Sequence, residues 1–331
     1  MKLLVTGGSG FIGSNFIHYM LHEHPEYQII NLDLLTYAGC EMTNDRVRDH
    51  KNYRFVKGDI CDPKIVNELV PQVDAIVHFA AESHVDNSIE NSMVFVMTNV
   101  LGTHNLLEAA RKHGNKRFHH ISTDEVFGHL GPDDEPFHEG TAHRPRSPYS
   151  ASKAGSDHLV MSYYHTHGLP VTISNCSNNY GPYMFPEKFM PLFITNLLEG
   201  KKVPLYGDGM NVRDWIHVHD HNRAVDRILH DGEVGHTYCV SANNEQANVD
   251  ITHMLLDLTG RDKSYIEYVE DRKGHDRRYA VDNSKITTLL NWKPEIAFED
   301  GLKDMVEWYK NNPEWWGKIL SGEYKELNQH Y

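Results

Sequence analysis

The chain has 331 residues, 40% of them hydrophobic and 24% charged, enough for one large α/β unit or two moderate domains with a substantial core. Its 46 Asp and Glu against 32 Lys and Arg leave a net charge of −14, which argues against a broad nucleic-acid-binding surface. No apolar run approaches the roughly 18 residues of a membrane span, and no signal-peptide pattern precedes the first apolar segment, so a cytoplasmic protein without a membrane partner is expected.

Apolar runs alternate with amphipathic segments from the start. Lys2 to Thr6 reads as a strand, Phe11 to His22 as a helix, and Tyr27 to Leu32 as a second strand ending at Asp33. Tyr53 to Val56 and Ala75 to Phe79 continue the strands, followed by a helix from Asn99 to His113, a strand from Arg117 to Ser122, a helix from Tyr149 to His167 and a strand from Val171 to Cys176. Such alternation predicts a doubly wound parallel sheet covered on both faces.

After Cys176 the texture changes. Tyr180 to Pro186 is rich in Gly, Pro and aromatics, and Gly200 to Asp214 is basic and glycine-punctuated, a region built for contacts rather than for another sheet unit. His219 to Asp231 reads as a helix and Thr237 to Ser241 as a strand. The expected domains are therefore 1–176, with 219–243 returning to it, and a smaller one from 177–218 and 244–331.

Between the first strand and helix lies Gly7-Gly8-Ser9-Gly10-Phe11-Ile12-Gly13, a G-x-G-x-x-G pattern with one extra glycine. Glycines there permit a tight turn and close backbone approach, and the helix N-terminus offers free N–H groups to a pyrophosphate. Asp33, twenty residues after Gly13, is placed to accept bonds from an adenine ribose diol and to repel a 2′-phosphate, which favours NAD. Asp59 reads either as an adenine contact or as the cap of a helix starting near Pro63.

Ser147-Pro148-Tyr149 resembles a helix start, with Ser147 as cap. Tyr149 and Lys153 then share one helix face, so the ammonium is expected to lower the phenol's pKa and to bridge to a cofactor ribose. Thr123-Asp124-Glu125 follows a strand at the edge where open α/β sheets bind ligands. Both acids reach one substrate only if the backbone turns there. Adjacent carboxyls tend to keep one protonated, which suits a general acid beside a general base.

These residues, together with Leu35-Thr36-Tyr37-Ala38-Gly39, Phe79 to Asp86, Ser177 to Tyr183 and Tyr206 to Trp215, resemble the extended short-chain dehydrogenase/reductases, and within them the nucleotide-sugar 4,6-dehydratases. The resemblance runs essentially the whole length. It implies a Rossmann NAD domain, a smaller C-terminal α/β substrate domain, a homodimer, and dehydration of a nucleoside-diphosphate hexose, dTDP-glucose foremost, to a 4-keto-6-deoxy sugar, the alternatives being a 4,6-dehydratase of UDP-glucose or UDP-N-acetylglucosamine or a 5,6-dehydratase. Tyr149 would take the 4-hydroxyl proton, Glu125 the carbon-5 proton, Asp124 would protonate the leaving 6-hydroxyl, Thr123 would hold the 4-hydroxyl, and Lys153 would bridge to the ribose.

By the same resemblance the cofactor would touch Gly7, Gly10, Phe11, Ile12, Gly13, Asp33, Leu34, Thr36, Asp59, Ile60, Phe79, Ala80, Ala81, Ser83, Thr98, Tyr149, Lys153 and Asn179. The nucleotide sugar would touch Ser83, Thr123, Asn178, Glu187, Lys188, Phe189, Pro204, Tyr206, Arg213, Asn248, Arg272 and His275. Asn87 and Asn175 stand where such dehydratases usually carry Arg, and Cys40 where they carry Asn, departures that mark either a different nucleotide or an N-acetylated sugar or, equally, tolerated drift at positions behind the site.

His217, His219 and His221 alternate and so suggest one strand face, but without a matching acidic or Cys pattern no metal is expected. The rival from another class is a non-catalytic nucleotide-sugar sensor, for which the intact acid–base set has no use.

Overall fold

The apolar runs are buried on both faces, as parallel strands require. A computed structural model describes residues 1–271 and 276–330. Among these residues twelve strands form: β1 (Lys2–Thr6), β2 (Gln28–Asp33), β3 (Tyr53–Lys57), β4 (Ala75–His78), β5 (Arg117–Thr123), β6 (Val171–Cys176), β7 (Asn178–Tyr180), β8 (Val203–Tyr206), β9 (Val212–His217), β10 (Thr237–Val240), β11 (Glu245–Ala247) and β12 (Ile266–Val269). Seven build one parallel sheet in the order β10-β6-β5-β4-β1-β2-β3.

The two-residue period of β1 shows in its packing. Leu4 faces a core with Val66, Leu106, Leu107 and Val160, supplied by the helices Pro63–Leu69, Thr103–Lys112 and Pro148–His167. Leu3 and Val5 face the opposite core with Phe16, Ile17, Met20, Val225 and Leu229, from the helices Phe11–Glu23 and Val218–Asp231. Strand order reverses between β1 and β4, which opens a crevice beyond their carboxyl ends.

The expected helix from Asn99 differs from the observed one. Val96–Gly102 is wound as a π-helix that leads into the α-helix Thr103–Lys112. Tertiary bonds to Asn99 account for the wide turn: its Oδ1 accepts the Glu82 N–H at 2.9 Å, and its Nδ2 donates to the Glu82 carbonyl and to Ser152 Oγ.

The segment expected to be contact loops carries β8 and β9, which stay outside the large sheet. β9 pairs with β7 and β11, and β8 pairs with β12. The helices Phe189–Leu198, Asn248–Thr259, Phe298–Asn311 and Pro313–Ser321 enclose a separate core around Phe193, Leu255, Leu302, Trp315 and Trp316.

Sequence reading missed a polar clasp between the helices Phe11–Glu23 and Val218–Asp231. Asp226 accepts from Tyr19 Oη at 3.0 Å and pairs with His24 Nε2 at 3.1 Å and His230 Nδ1 at 2.9 Å. Burial opposes the Asp226 charge, but bonds from His230 and His24 hold its carboxyl below the usual range, while Asp226 raises His230. The Asp226 contribution is therefore present above its unfolded pKa and lost as pH falls through its depressed folded value. The His230 contribution is complete below its unfolded pKa and fades as pH rises through the raised one. Asp226→Ala is expected to cost about 1–3 kcal/mol near neutral pH, measured by urea denaturation.

Candidate active site

Steric demand explains the glycines after β1. Gly7 adopts φ +72°, and a Cβ there would lie 2.5 Å from the Ala80 nitrogen, while one at Gly13 would lie 2.3 Å from the Gly7 carbonyl oxygen. Gly10 is different: a Cβ there meets only the Gly7 carbonyl, at 3.4 Å, so its open side faces the cleft. Gly10 also caps the helix Phe11–Glu23 without a side-chain bond, which leaves first-turn N–H groups for a ligand. Gly13→Ala should therefore weaken NAD binding about 100-fold or more with the fold retained, read by equilibrium dialysis alongside circular dichroism.

A cleft of about 350 Å³ runs from this loop to the carboxyl ends of β4, β5 and β6. It collects every expected cofactor residue: Gly7, Gly10, Phe11, Ile12, Gly13, Asp33, Leu34, Thr36, Asp59, Ile60, Phe79, Ala80, Ala81, Ser83, Thr98, Tyr149, Lys153 and Asn179. Asp33 Oδ2 accepts the Ser9 N–H at 2.9 Å and Oδ1 that of Leu35 at 2.8 Å, which fixes the carboxylate at the cleft wall with lone pairs left over. Asp59 is not the helix cap. Asp62 caps Pro63–Leu69 by accepting the Lys64 N–H, and Asp59 accepts the N–H of Cys61. The open glycine, the uncapped helix end and the acid fixed at the cleft wall together fit a dinucleotide.

The backbone does turn after β5. Asp124–Phe127 forms a 3₁₀ turn in which Thr123 Oγ1 accepts the Glu125 N–H at 3.2 Å, and Gly128 at φ +105° ends it. Both acids thereby face the cleft. Their environments differ: burial, then Glu125 and Asp214, push Asp124 up to about 8, whereas burial lifts Glu125 to about 6 against the pull of Arg213 and Lys188. At neutral pH one is an acid and the other a base.

Ser147 caps the helix Pro148–His167 in a reciprocal box with Ser150, which sets Tyr149 and Lys153 one turn apart over the cleft. The expectation that Lys153 lowers the Tyr149 phenol does not hold. Burial and Glu125 raise Tyr149 well above its ordinary value, opposed by a hydrogen bond with Thr123. Lys153 Nζ instead donates to the Ile121 carbonyl at 2.7 Å and faces His120 Nε2 at 3.4 Å, and burial brings it down to about 8.

Beneath the acid pair lies a network that sequence reading missed, although Asp157 stands one turn beyond Lys153. His120 and Asp157 lie 3.2 Å apart, and Asp157 accepts from Ser122 Oγ at 2.8 Å and Asn175 Nδ2 at 3.3 Å. Asn175 also donates to the Thr123 carbonyl at 3.0 Å. Asn175 lies on β6 opposite Ser122 of β5 and is buried, which places it behind the site rather than on a substrate surface; Cys40 is likewise buried, and Asn87 is exposed on the helix Val85–Glu90.

Of the expected sugar-nucleotide residues, Ser83, Thr123, Asn178 and Lys188 line the cleft. Arg213 approaches the acid pair, stacked 4.6 Å from the Tyr279 ring centroid and donating to the Val212 and Asp276 carbonyls. Glu187 is exposed 3.8 Å from His84, Pro204 and Tyr206 lie on β8, and Asn248 opens a helix. Phe189 packs on Phe193 and Trp215. Arg272 and His275 lie outside the described residues. Tyr37, Glu82, Met184 and Phe185 also line the cleft; all four sit in segments whose motifs were visible. His217 and His221 turn to different partners, His219 N–H and Asn179.

Residues 4–305 match the family model described as GDP-mannose 4,6 dehydratase. A relative from Mycobacterium tuberculosis (strain ATCC 25618 / H37Rv), named dTDP-glucose 4,6-dehydratase, is 52% identical over 334 residues, spanning 99% of this chain and 100% of its own. The dTDP-glucose 4,6-dehydratase of Bacillus anthracis, crystallised in complex with NAD, superposes with a TM-score of 0.91 at 48% identity, covering 96% of this chain and 99% of that one. The dTDP-glucose 4,6-dehydratase of Streptomyces venezuelae, with NAD and TYD bound, gives 0.93 at 48%, covering 96% and 100%.

Proposed function

The chain belongs to the GDP-mannose 4,6-dehydratase family, and from that premise we propose how its own residues divide the work of dehydration. It is an NAD-dependent hydro-lyase that converts dTDP-glucose to the 4-keto-6-deoxy sugar. The observation that carries the division of labour is the split between Asp124 and Glu125, neighbours on one turn with one held protonated and the other ionised at neutral pH.

Bound NAD supplies the hydride acceptor for carbon 4 and the hydride donor for carbon 6. Tyr149 takes the proton of the 4-hydroxyl, which Thr123 orients, and Lys153 holds the cofactor ribose. The 4-ketone so formed acidifies carbon 5, and Glu125, kept ionised by Arg213 and Lys188, removes that proton. Asp124 gives its proton to the 6-hydroxyl, which departs as water, and Glu125 returns its proton to carbon 5. A non-catalytic sensor would need none of these groups. Incubation with dTDP-glucose, UDP-glucose and UDP-N-acetylglucosamine should give loss of water from dTDP-glucose foremost by mass spectrometry; no loss from any of them would support the sensor.

We further propose that residues 177–218 and 244–331 close over the nucleotide sugar, that the protein is cytoplasmic, and that it is a homodimer. Ile89, Met93, Val94, Val96, Met97 and Leu101 present an exposed apolar stripe, with Ile89 66% and Met93 64% exposed, beside the helix Pro148–His167. A second copy of the same stripe would cover it symmetrically. Met93→Glu should shift the protein to monomer in sedimentation; an unchanged dimer would place the interface elsewhere.

A further inference from the structure

Because the hydride taken from carbon 4 returns to carbon 6, each turnover leaves NAD as it began, and nothing in the reaction requires it to depart. At the Asp33 end of the cleft the walls are residues 36–39, after β2, and Gly58 and Asp59, after β3. Both walls are tied by residues far along the chain.

The helix Glu323–Leu327 and Asn328, which follows it, supply the ties. Tyr324 Oη donates to the Tyr37 carbonyl at 2.6 Å, and Asn328 Nδ2 donates to the Gly39 carbonyl at 2.8 Å, across 287 and 289 residues of sequence. The Asn328 carbonyl in turn accepts from Lys57 Nζ at 2.5 Å, at the end of β3 and next to Gly58. Asn328 thus bridges the two walls. Both side chains are buried, where a hydrogen bond is stronger than in water.

The peptide between Gly39 and Cys40 is gripped on both sides. Asn328 holds its carbonyl, and its N–H donates to the Ser9 carbonyl of the glycine loop at 2.9 Å. A Cβ at Gly39 would lie 3.0 Å from Asp33 Oδ1, so a shift of this peptide reaches the ribose acid directly. Leu35, at φ +59°, holds a backbone conformation that leucine rarely adopts and that needs outside support. Packing adds to the bonds: Cys40 and Tyr324 share one buried core with Trp315, Trp316 and Ile319.

We propose that Tyr324 and Asn328 are positioning residues for NAD, clamping residues 36–39 against Asp33 and so setting how long the cofactor stays bound. Neither lines the cleft; they act through Tyr37, Gly39 and Asp33 and leave the acid–base groups untouched. The clamp rests on the NAD assignment and adds to it the residues that retain the cofactor between turnovers.

The test follows release of radiolabelled NAD from the loaded enzyme into an excess of unlabelled NAD. Tyr324→Phe, which keeps the ring and removes one bond, and Asn328→Ala, which removes the other, should each release NAD about 5- to 10-fold faster than wild type. Asn328→Asp, which turns a carboxylate toward the Gly39 carbonyl, should release it faster still. With NAD saturating, all three should keep kcat and the KM for dTDP-glucose within about two-fold of wild type, a split that general loss of folding does not give. Glu326→Ala, exposed on the same helix, should release NAD as wild type does. Unchanged release in both Tyr324→Phe and Asn328→Ala, equal quickening in Glu326→Ala, or a fall in kcat at saturating NAD as large as the gain in release would overturn the clamp. A wild-type enzyme that takes up no labelled NAD would instead overturn the cofactor assignment, and the clamp with it.

Discussion

Glu125→Gln is expected to lower the rate of product formation by about 10³- to 10⁴-fold while leaving sugar binding within a few-fold of normal. The amide keeps the size of the side chain, and the turn survives because Thr123 Oγ1 is bonded to the backbone N–H of this residue. What is lost is a base that burial has raised to about 6 and that Arg213 and Lys188 still hold ionised at neutral pH. The loss should fall on carbon 5 specifically: incubation of the variant in deuterated water gives no exchange there, whereas proton removal from the 4-hydroxyl by Tyr149 remains possible. Full activity in the variant would assign the carbon-5 proton to another group.

Asp124→Asn should cost about 10²- to 10⁴-fold in kcat, since an amide has no proton to give the departing hydroxyl. The pH profile carries a second signature. In the native protein the rate should rise as Glu125 ionises at about 6 and fall as Asp124 and Lys153 lose protons at about 8, the apparent values belonging to coupled groups. Two groups titrate on the alkaline side, so the native rate falls with a limiting slope of two and that of Asp124→Asn with a slope of one. Stability moves the other way. An acid whose folded pKa is raised by burial contributes its full stability below its unfolded pKa and loses it as pH rises through the folded value. Asp124→Asn should therefore melt higher than the native protein at alkaline pH, the mark of a group retained for chemistry rather than for folding.

The features legible in the sequence are those set by local demands. The glycine loop was readable because Gly7 and Gly13 leave no room for a Cβ, and the strands because β1 buries both faces. The capped helix start at Ser147 depends on its own next three residues, and it formed as read. What escaped depends on partners distant in sequence. The π-wound turn Val96–Gly102 follows from Asn99 bonding Glu82 and Ser152. The three- and four-residue strands β7, β8, β11 and β12 exist only through pairing with one another or with β9.

Within the site, residue types were legible and environments were not. Spacing placed Lys153 beside Tyr149, but it said nothing of the Ile121 carbonyl that holds the ammonium. The acid pair was visible as two letters; which of them keeps its proton depends on burial and on Arg213 from β9, about ninety residues further along. Asn175 was legible only as a choice between a lost substrate contact and a position behind the site, and its burial and its bond to the Thr123 carbonyl settle it as the second.

The account is tested most directly by proton NMR of the product formed from dTDP-glucose in deuterated water. It predicts a 4-keto sugar with a carbon-6 methyl group and deuterium at carbon 5, produced without added reductant or oxidant beyond bound NAD. Recovery of dTDP-glucose unchanged, or a dehydrated sugar that retains its original hydrogen at carbon 5 with none exchanged, would contradict it.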